Sequence, residues 1–116
     1  MIETEILQNI RLALGTTPGV TLWRNNTGAL QDTTGRLVRY GLCEGSADLI
    51  GLRTITVTPD MVGQQVAIFA AVEVKNERGR PTDKQVNFLQ HVRTAGGLAG
   101  VARSPEQARL ILGLPT

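Results

Sequence analysis

The apolar positions of this chain fall into two rhythms. In residues 2–14, IETEILQNIRLAL, Ile2, Ile6, Leu7, Ile10, Ala13 and Leu14 recur at spacings of three and four. That spacing predicts a helix, which Gly15 and Pro18 end. The pattern then becomes strand-like. VTLWRNN (20–26) is β-branched and aromatic, Asn26-Thr27-Gly28 reads as a turn, RLVRYGL (36–42) as a second short strand, and ADLIGL as a third beginning near Ala47. TITVT (54–58) alternates like an edge strand, before a loop at PDMVGQQ. VAIFAAVEV (66–74) is apolar throughout, as expected of a central strand covered on both faces.

Two helices follow, each with its start written in the sequence. Thr82 with Gln85 three positions later fits a capping box, and Val86, Phe88, Leu89 and Val92 supply the apolar stripe behind it. GLAGVAR predicts another buried strand. SPEQARLILGL predicts the last helix, with Ser104 as cap, Pro105 at the first helical position and Gln107 closing a second box. The order implies an α/β fold, a mixed β-sheet flanked by α-helices. At 116 residues, with no repeat or linker, a single domain spanning 1–116 is expected.

Composition narrows the chemistry. One cysteine, Cys43, excludes an internal disulfide and a multi-cysteine zinc site, and one histidine, His91, makes a Ser-His-Asp triad a poor fit. Aromatic residues are 3% of the chain, so base stacking is not expected to dominate binding. The N-terminus has Glu3 and Glu5 where a signal peptide would be apolar, and no run is long enough for a membrane span, so the expected compartment is the cytoplasm. The net charge is only +2, but with three acids committed to a metal the other seven leave the twelve Lys and Arg an excess of five.

Strand side chains alternate, so Glu73 and Lys75 share a face at the end of an apolar strand. If the strand led by Asp48 is a neighbour, two carboxylates and an ammonium converge there. A divalent cation is the natural partner for such acids. Mg²⁺ in particular takes one or two carboxylates plus water and substrate phosphate, and Lys75 could then face a phosphate and offset its growing charge. The other reading of the pair is a solvated strand end or a surface ion pair. Arg78, Arg80 and Lys84 flank the site in a glycine-containing loop and helix start, and read as phosphate contacts; Arg36 and Arg39 bracket a short strand and could reach a DNA backbone. Arg24, Asn25 and Asn26 precede a turn and are equally explained by turn chemistry. Asp83 needs no role beyond the helix dipole. Trp23 reads as packing, Ser46 as shaping the turn before Asp48, and neither His91 nor Cys43 as a catalyst.

GSAD (45–48), a hydrophobic strand and EVK (73–75) together resemble the PD-(D/E)XK nuclease superfamily, with Ala47-Asp48 in place of the Pro-Asp pair and Glu73-Val74-Lys75 as the second motif. More narrowly, WRNNTGA (23–29), GSADLIG (45–51), EVKNERGRPTDKQ (73–85) and Phe88 resemble the VRR-NUC family, the virus-type replication-repair nucleases, over nearly the whole chain. The resemblance implies a restriction-endonuclease-like core and a Mg²⁺- or Mn²⁺-dependent endonuclease leaving a 5′-phosphate and a 3′-hydroxyl. It implies Asp48, Glu73 and the Val74 backbone carbonyl as metal ligands and Lys75 as the residue that positions water. It also implies a first-helix acid, for which Glu3 is favoured over Glu5 because it lies on the apolar face, and a glutamine beside the site, Gln85, which the capping box explains equally well. Short stand-alone members resemble dimeric Holliday-junction resolvases of bacterial or phage-infected cells, which implies a homodimer acting on four-way junctions. The alternatives are a flap or restriction-like endonuclease, or a non-catalytic DNA-structure-binding protein.

Overall fold

The computed structural model describes residues 2–115. They form two compact units divided between Arg53 and Thr54. The first contains helix α1 (Glu3–Gly15) and strands β1 (Val20–Arg24), β2 (Gly28–Gln31), β3 (Leu37–Tyr40) and β4 (Leu49–Arg53). The second contains a short 3-10 turn (Pro59–Met61), strand β5 (Ala70–Val74), helix α2 (Asp83–Thr94), strand β6 (Leu98–Ala102) and helix α3 (Pro105–Ile111). The architecture is α/β, with small sheets flanked by helices, and is compatible with a restriction-endonuclease-like core. The expected mixed sheet is divided into three two-stranded ladders, β1–β4 and β2–β3 antiparallel and β5–β6 parallel.

In the first unit, α1 packs on β1. β1 and β4 pair from Val20↔Arg53 to Arg24↔Leu49, and Asn25 N donates to Asp48 O at 2.8 Å, one step beyond that register. Gly51 has no room for a side chain, because a Cβ there would fall on the Thr21 carbonyl oxygen. The β2–β3 hairpin was only half legible. Gly28, Ala29 and Gln31 carry no strand signal of their own, and β2 exists because β3 and the Asp32–Gly35 turn hold it. Asp32 Oδ1 accepts from Thr34 Oγ1 (2.7 Å), Thr34 N (2.8 Å) and Arg36 N (2.9 Å), which closes that turn.

The second unit is a strand–helix–strand crossover, the connection that parallel strands require. Its core is Leu89, Val92 and Ala99, with Phe69, Ala71 and Val101 packed against it. The strand expected over 66–74 is shorter, Ala70–Val74, and Val66 and Ile68 are exposed. Its length is set by β6, which begins only after Gly96 and Gly97, so residues 66–68 have no ladder partner. The edge strand expected at 54–58 does not form. Thr54 Oγ1 instead donates to the Ala95 carbonyl at the end of α2 (2.7 Å), and Pro59 turns the chain into the 3-10 segment. The cap at Ser104 accepts from Gln107 N (3.2 Å) as expected, but the Gln107 side chain reaches past the cap to Arg103 N (2.7 Å), so the second box is not reciprocal.

The Asp32 turn makes a pH prediction. Its hydrogen bonds, that from the Thr34 hydroxyl foremost and that from the Arg36 amide next, hold its carboxyl below the usual value of 3.8. A folded value below the unfolded one means that the carboxylate stabilises the hairpin above about pH 3.8 and that this contribution disappears as pH falls through the lower folded value. An NMR titration should place the Asp32 midpoint below the usual 3.8, and Asp32→Asn should remove the shift of the Thr34 amide resonance that accompanies it.

Candidate active site

β5 places Ala71, Glu73 and Lys75 on one side. Ala71 packs into the core that α2 covers, so the next residue along that side, Glu73, emerges beside the start of α2. There Gln85 Nε2 donates to Glu73 Oε1 at 3.0 Å, and Lys75 Nζ lies 3.4 Å from the same oxygen. The glutamate and lysine side chains are both partly buried, which shields their pair from the screening that makes surface ion pairs weak. The surface-ion-pair alternative and the site therefore share one geometry.

Gln85 makes the capping bonds and also reaches Glu73. Its backbone N donates to Thr82 Oγ1 (3.2 Å), and its side-chain Oε1 accepts from Thr82 N (2.9 Å), completing the capping box. Because the Thr82 amide can only donate, the carbonyl end of the Gln85 side chain must face it. The amino end is then left for the Glu73 carboxylate. One side chain thus ties the first turn of α2 to the end of β5.

The loop between them is ordered by its own polar groups. Asn76 Oδ1 accepts from Arg78 N (3.0 Å) and Gly79 N (2.7 Å), and Arg103 Nη2, at the end of β6, donates to Gly79 O (2.8 Å). Arg78, Arg80 and Lys84 are exposed around it. Lys84 also lines a groove of about 330 Å³ with Glu73, Gln85 and Phe88. Val74, on the opposite side of β5 from Glu73 and Lys75, is exposed.

The remaining expected residues lie in the first unit. Asp48 is exposed and immediately precedes β4. A cavity of about 590 Å³ there is lined by Glu3, Ile6, Ile10, Arg24 and Asp48 among others, and not by Glu5. Arg24 makes no ion pair with Glu3 or Asp48 among the described residues. Arg36 and Arg39 are exposed on the hairpin, where Arg39 Nη1 lies 3.4 Å from Glu44 Oε2. That pair is open to water and is worth at most about 1 kcal/mol, which a phosphate can displace. His91 is exposed on α2.

Sequence reasoning missed Asn25. It is the one buried polar or charged residue among those described. Its Nδ2 donates to Ser46 Oγ (2.7 Å) and to Ala47 O (2.8 Å), and its Oδ1 accepts from Leu42 N (2.9 Å). The signal was its place directly after β1, where the alternation of the strand continues. Thr21, Trp23 and Asn25 share a face, and an amide that continues the face of a tryptophan has to find partners in the fold.

A cation would find hard oxygen donors here. In the first unit Asp48 and Glu3 border one cavity, and in the second Glu73 is a carboxylate whose Oε1 is already oriented by two donors; carboxylate oxygens of this kind are the donors that Mg²⁺ and Mn²⁺ prefer. Among the described residues, no three His, Cys, Asp or Glu side chains are gathered around a metal position. No described helix is long and apolar enough to cross a membrane.

A strand-borne Glu-x-Lys, a glutamine at the next helix and a basic loop between them are the arrangement that the resemblance to PD-(D/E)XK nucleases leads one to expect. The family model described as the VRR-NUC domain matches residues 2–106, across both units, and the chain belongs to that family. It is therefore a nuclease that acts on DNA, of a kind that generally uses divalent metal ions. The comparisons with curated proteins and with solved structures give no match.

The two bonds of the Gln85 side chain can be separated. Gln85→Glu keeps an oxygen for the Thr82 amide but sets a second carboxylate against Glu73. Thermal unfolding should change by less than the ~1 kcal/mol expected of a lost cap, while cleavage of DNA falls at least about tenfold, as for other groups that orient a site carboxylate. Gln85→Ala should lose both.

Proposed function

We propose that this nuclease is a Mg²⁺- or Mn²⁺-dependent endonuclease that hydrolyses branched DNA, with the four-way junction as substrate and a homodimer as the active form. The observation that carries the chemical part is the cluster at the end of β5. There the Lys75 ammonium and the Gln85 amide both address Glu73 Oε1, beside a loop bearing Arg78 and Arg80. Asp48, Glu73 and the Val74 carbonyl would hold the ion, with Glu3 completing the acidic set. When bound, the ion supplies Lewis acidity toward the scissile phosphate and the attacking water.

The chain's own groups do the rest. Gln85 fixes the rotamer of Glu73, so the carboxylate need not reorganise when the phosphate arrives. The Lys75 ammonium donates to the phosphate and to the incoming water, offsetting the charge that grows on the non-bridging oxygens. Water oxygen bonds to phosphorus and releases a proton to solvent, the bond to the 3′ oxygen breaks and that oxygen takes up a proton from solvent, and the products are a 5′-phosphate and a 3′-hydroxyl. Arg36, Arg39, Arg78, Arg80 and Lys84 hold the backbone, contacts that fix register and carry no base sequence. The reading as a junction enzyme follows the resemblance of the VRR-NUC domain to junction resolvases, and cutting two opposed strands of a four-way junction needs two copies of the site related by a two-fold axis.

Four-way junctions, flaps, splayed arms and plain duplex, each offered with Mg²⁺, with Mn²⁺ and with chelator, test the proposal. Paired symmetric nicks in the junction, made by a species that light scattering sizes as a dimer, are expected. A monomer that cuts flaps and leaves the junction intact would replace the junction reading with the flap-nuclease one. Asp48→Ala and Glu73→Ala should abolish cleavage and Mn²⁺ uptake while DNA binding persists. Lys75→Ala should abolish cleavage with Mn²⁺ uptake retained, and loss of the metal in that variant would make Lys75 a structural residue.

A further inference from the structure

We propose that Asn25 is a positioning residue for Asp48, an inference that rests on the metal-ligand role given to Asp48 above. All three hydrogen bonds of its side chain run to the segment that carries Asp48. They reach Leu42 at its start and Ser46 and Ala47 at its end, while its backbone N holds the Asp48 carbonyl itself. Ser46 is the second link. Its hydroxyl, which accepts from Asn25, donates to Cys43 O (2.6 Å) and accepts from Cys43 N (3.3 Å), so the turn between Leu42 and Ala47 is closed on the asparagine.

The backbone of that segment needs such a clamp. Gly41 and Gly45 both have positive φ, +90° and +82°, conformations that side chains disfavour and that leave the chain free to take others when unconstrained. Residues 41–48 contain no strand or helix, and Asp48 itself is exposed. A carboxylate on a glycine-hinged loop would sample many positions. With Asn25 bonded at both ends of the loop, the position of Asp48 follows that of β1. β1 ends at Arg24, which lines the cavity that Asp48 also borders, so the end of one strand supplies a cation at the cavity wall and, in the next residue, the anchor of the acid. The amide is also the right group for the task. It accepts from one backbone amide while donating to a hydroxyl and a carbonyl, a combination that neither aspartate nor leucine of similar size can reproduce.

The full-length chain can be tested without DNA. Mn²⁺ binding is measured by calorimetry well below the melting temperature, the relevant part being that lost in Asp48→Ala. Exchange protection of the Leu42 amide is measured alongside. Asn25→Asp keeps the acceptor for Leu42 and loses both donors. It should retain Leu42 protection and bind Mn²⁺ roughly 10–100-fold more weakly, the range found when an outer-shell partner of a metal ligand is lost. Asn25→Ala should lose the protection as well; if it does not fold, the aspartate variant alone decides. Lowered melting temperatures with Mn²⁺ affinity equal to the wild type would make Asn25 a folding residue only and overturn the inference. A wild-type protein with no Asp48-dependent Mn²⁺ binding would overturn the proposed metal site and the inference together, an outcome readily told apart from the first.

Discussion

The 3.0 Å hydrogen bond from Gln85 Nε2 to Glu73 Oε1 joins the cap of α2 to the last turn of the β5 ladder. A carboxylate at a strand end has two torsions free below it and water around it. It acts as a preorganised group only if something fixed holds one of its oxygens. Gln85 can serve because its other end is committed to Thr82, and Thr82 can serve because α2 is buried through Leu89 and Val92 against β6. The path from core to site is thus short. Packing fixes the helix, the helix start fixes the amide, and the amide fixes the acid. Lys75 then approaches an oxygen whose place is already determined.

The first unit reaches a comparable end by other means. It has no packed helix start behind Asp48, and α1 contributes no buried residue. What it has instead is a buried asparagine at the end of a strand. An amide buried without partners would cost about 1–3 kcal/mol, so the three bonds it makes are obligatory, and they hold the loop as long as the strand is formed. Each unit therefore turns the regular geometry of a strand into the placement of one acidic side chain, by a cap in one case and by a buried polar side chain in the other.

The parts of the fold that could be read from the sequence are those with local causes. The helix starts at Thr82 and Ser104 were legible because caps are written within four residues, and the Glu73–Lys75 face was legible because strand alternation needs no partner. The failures share a non-local cause. β2 is a strand because β3 pairs with it; residues 66–68 are not, because β6 is too short to pair with them; and Thr54–Thr58 alternates without a ladder to join. A strand is a property of two segments, and one segment shows only half of it.

The candidate site divides along the same line. Glu73, Lys75 and Gln85 sit within thirteen residues on one strand–helix unit, so spacing and a capping motif nearly define their geometry. Asp48 is a candidate through its motif, but the residue bonded to its loop carries no such signal, because Asn25 lies 23 positions away and looks like any turn residue when its neighbours are read in order. Its role becomes visible only when β1 is treated as a surface with two faces. Val20, Leu22 and Arg24 point one way, and Thr21, Trp23 and Asn25 the other. A polar group that follows a tryptophan on one face of a strand is a buried amide in need of partners, and the glycine-hinged segment from Gly41 to Asp48 is where the fold supplies them.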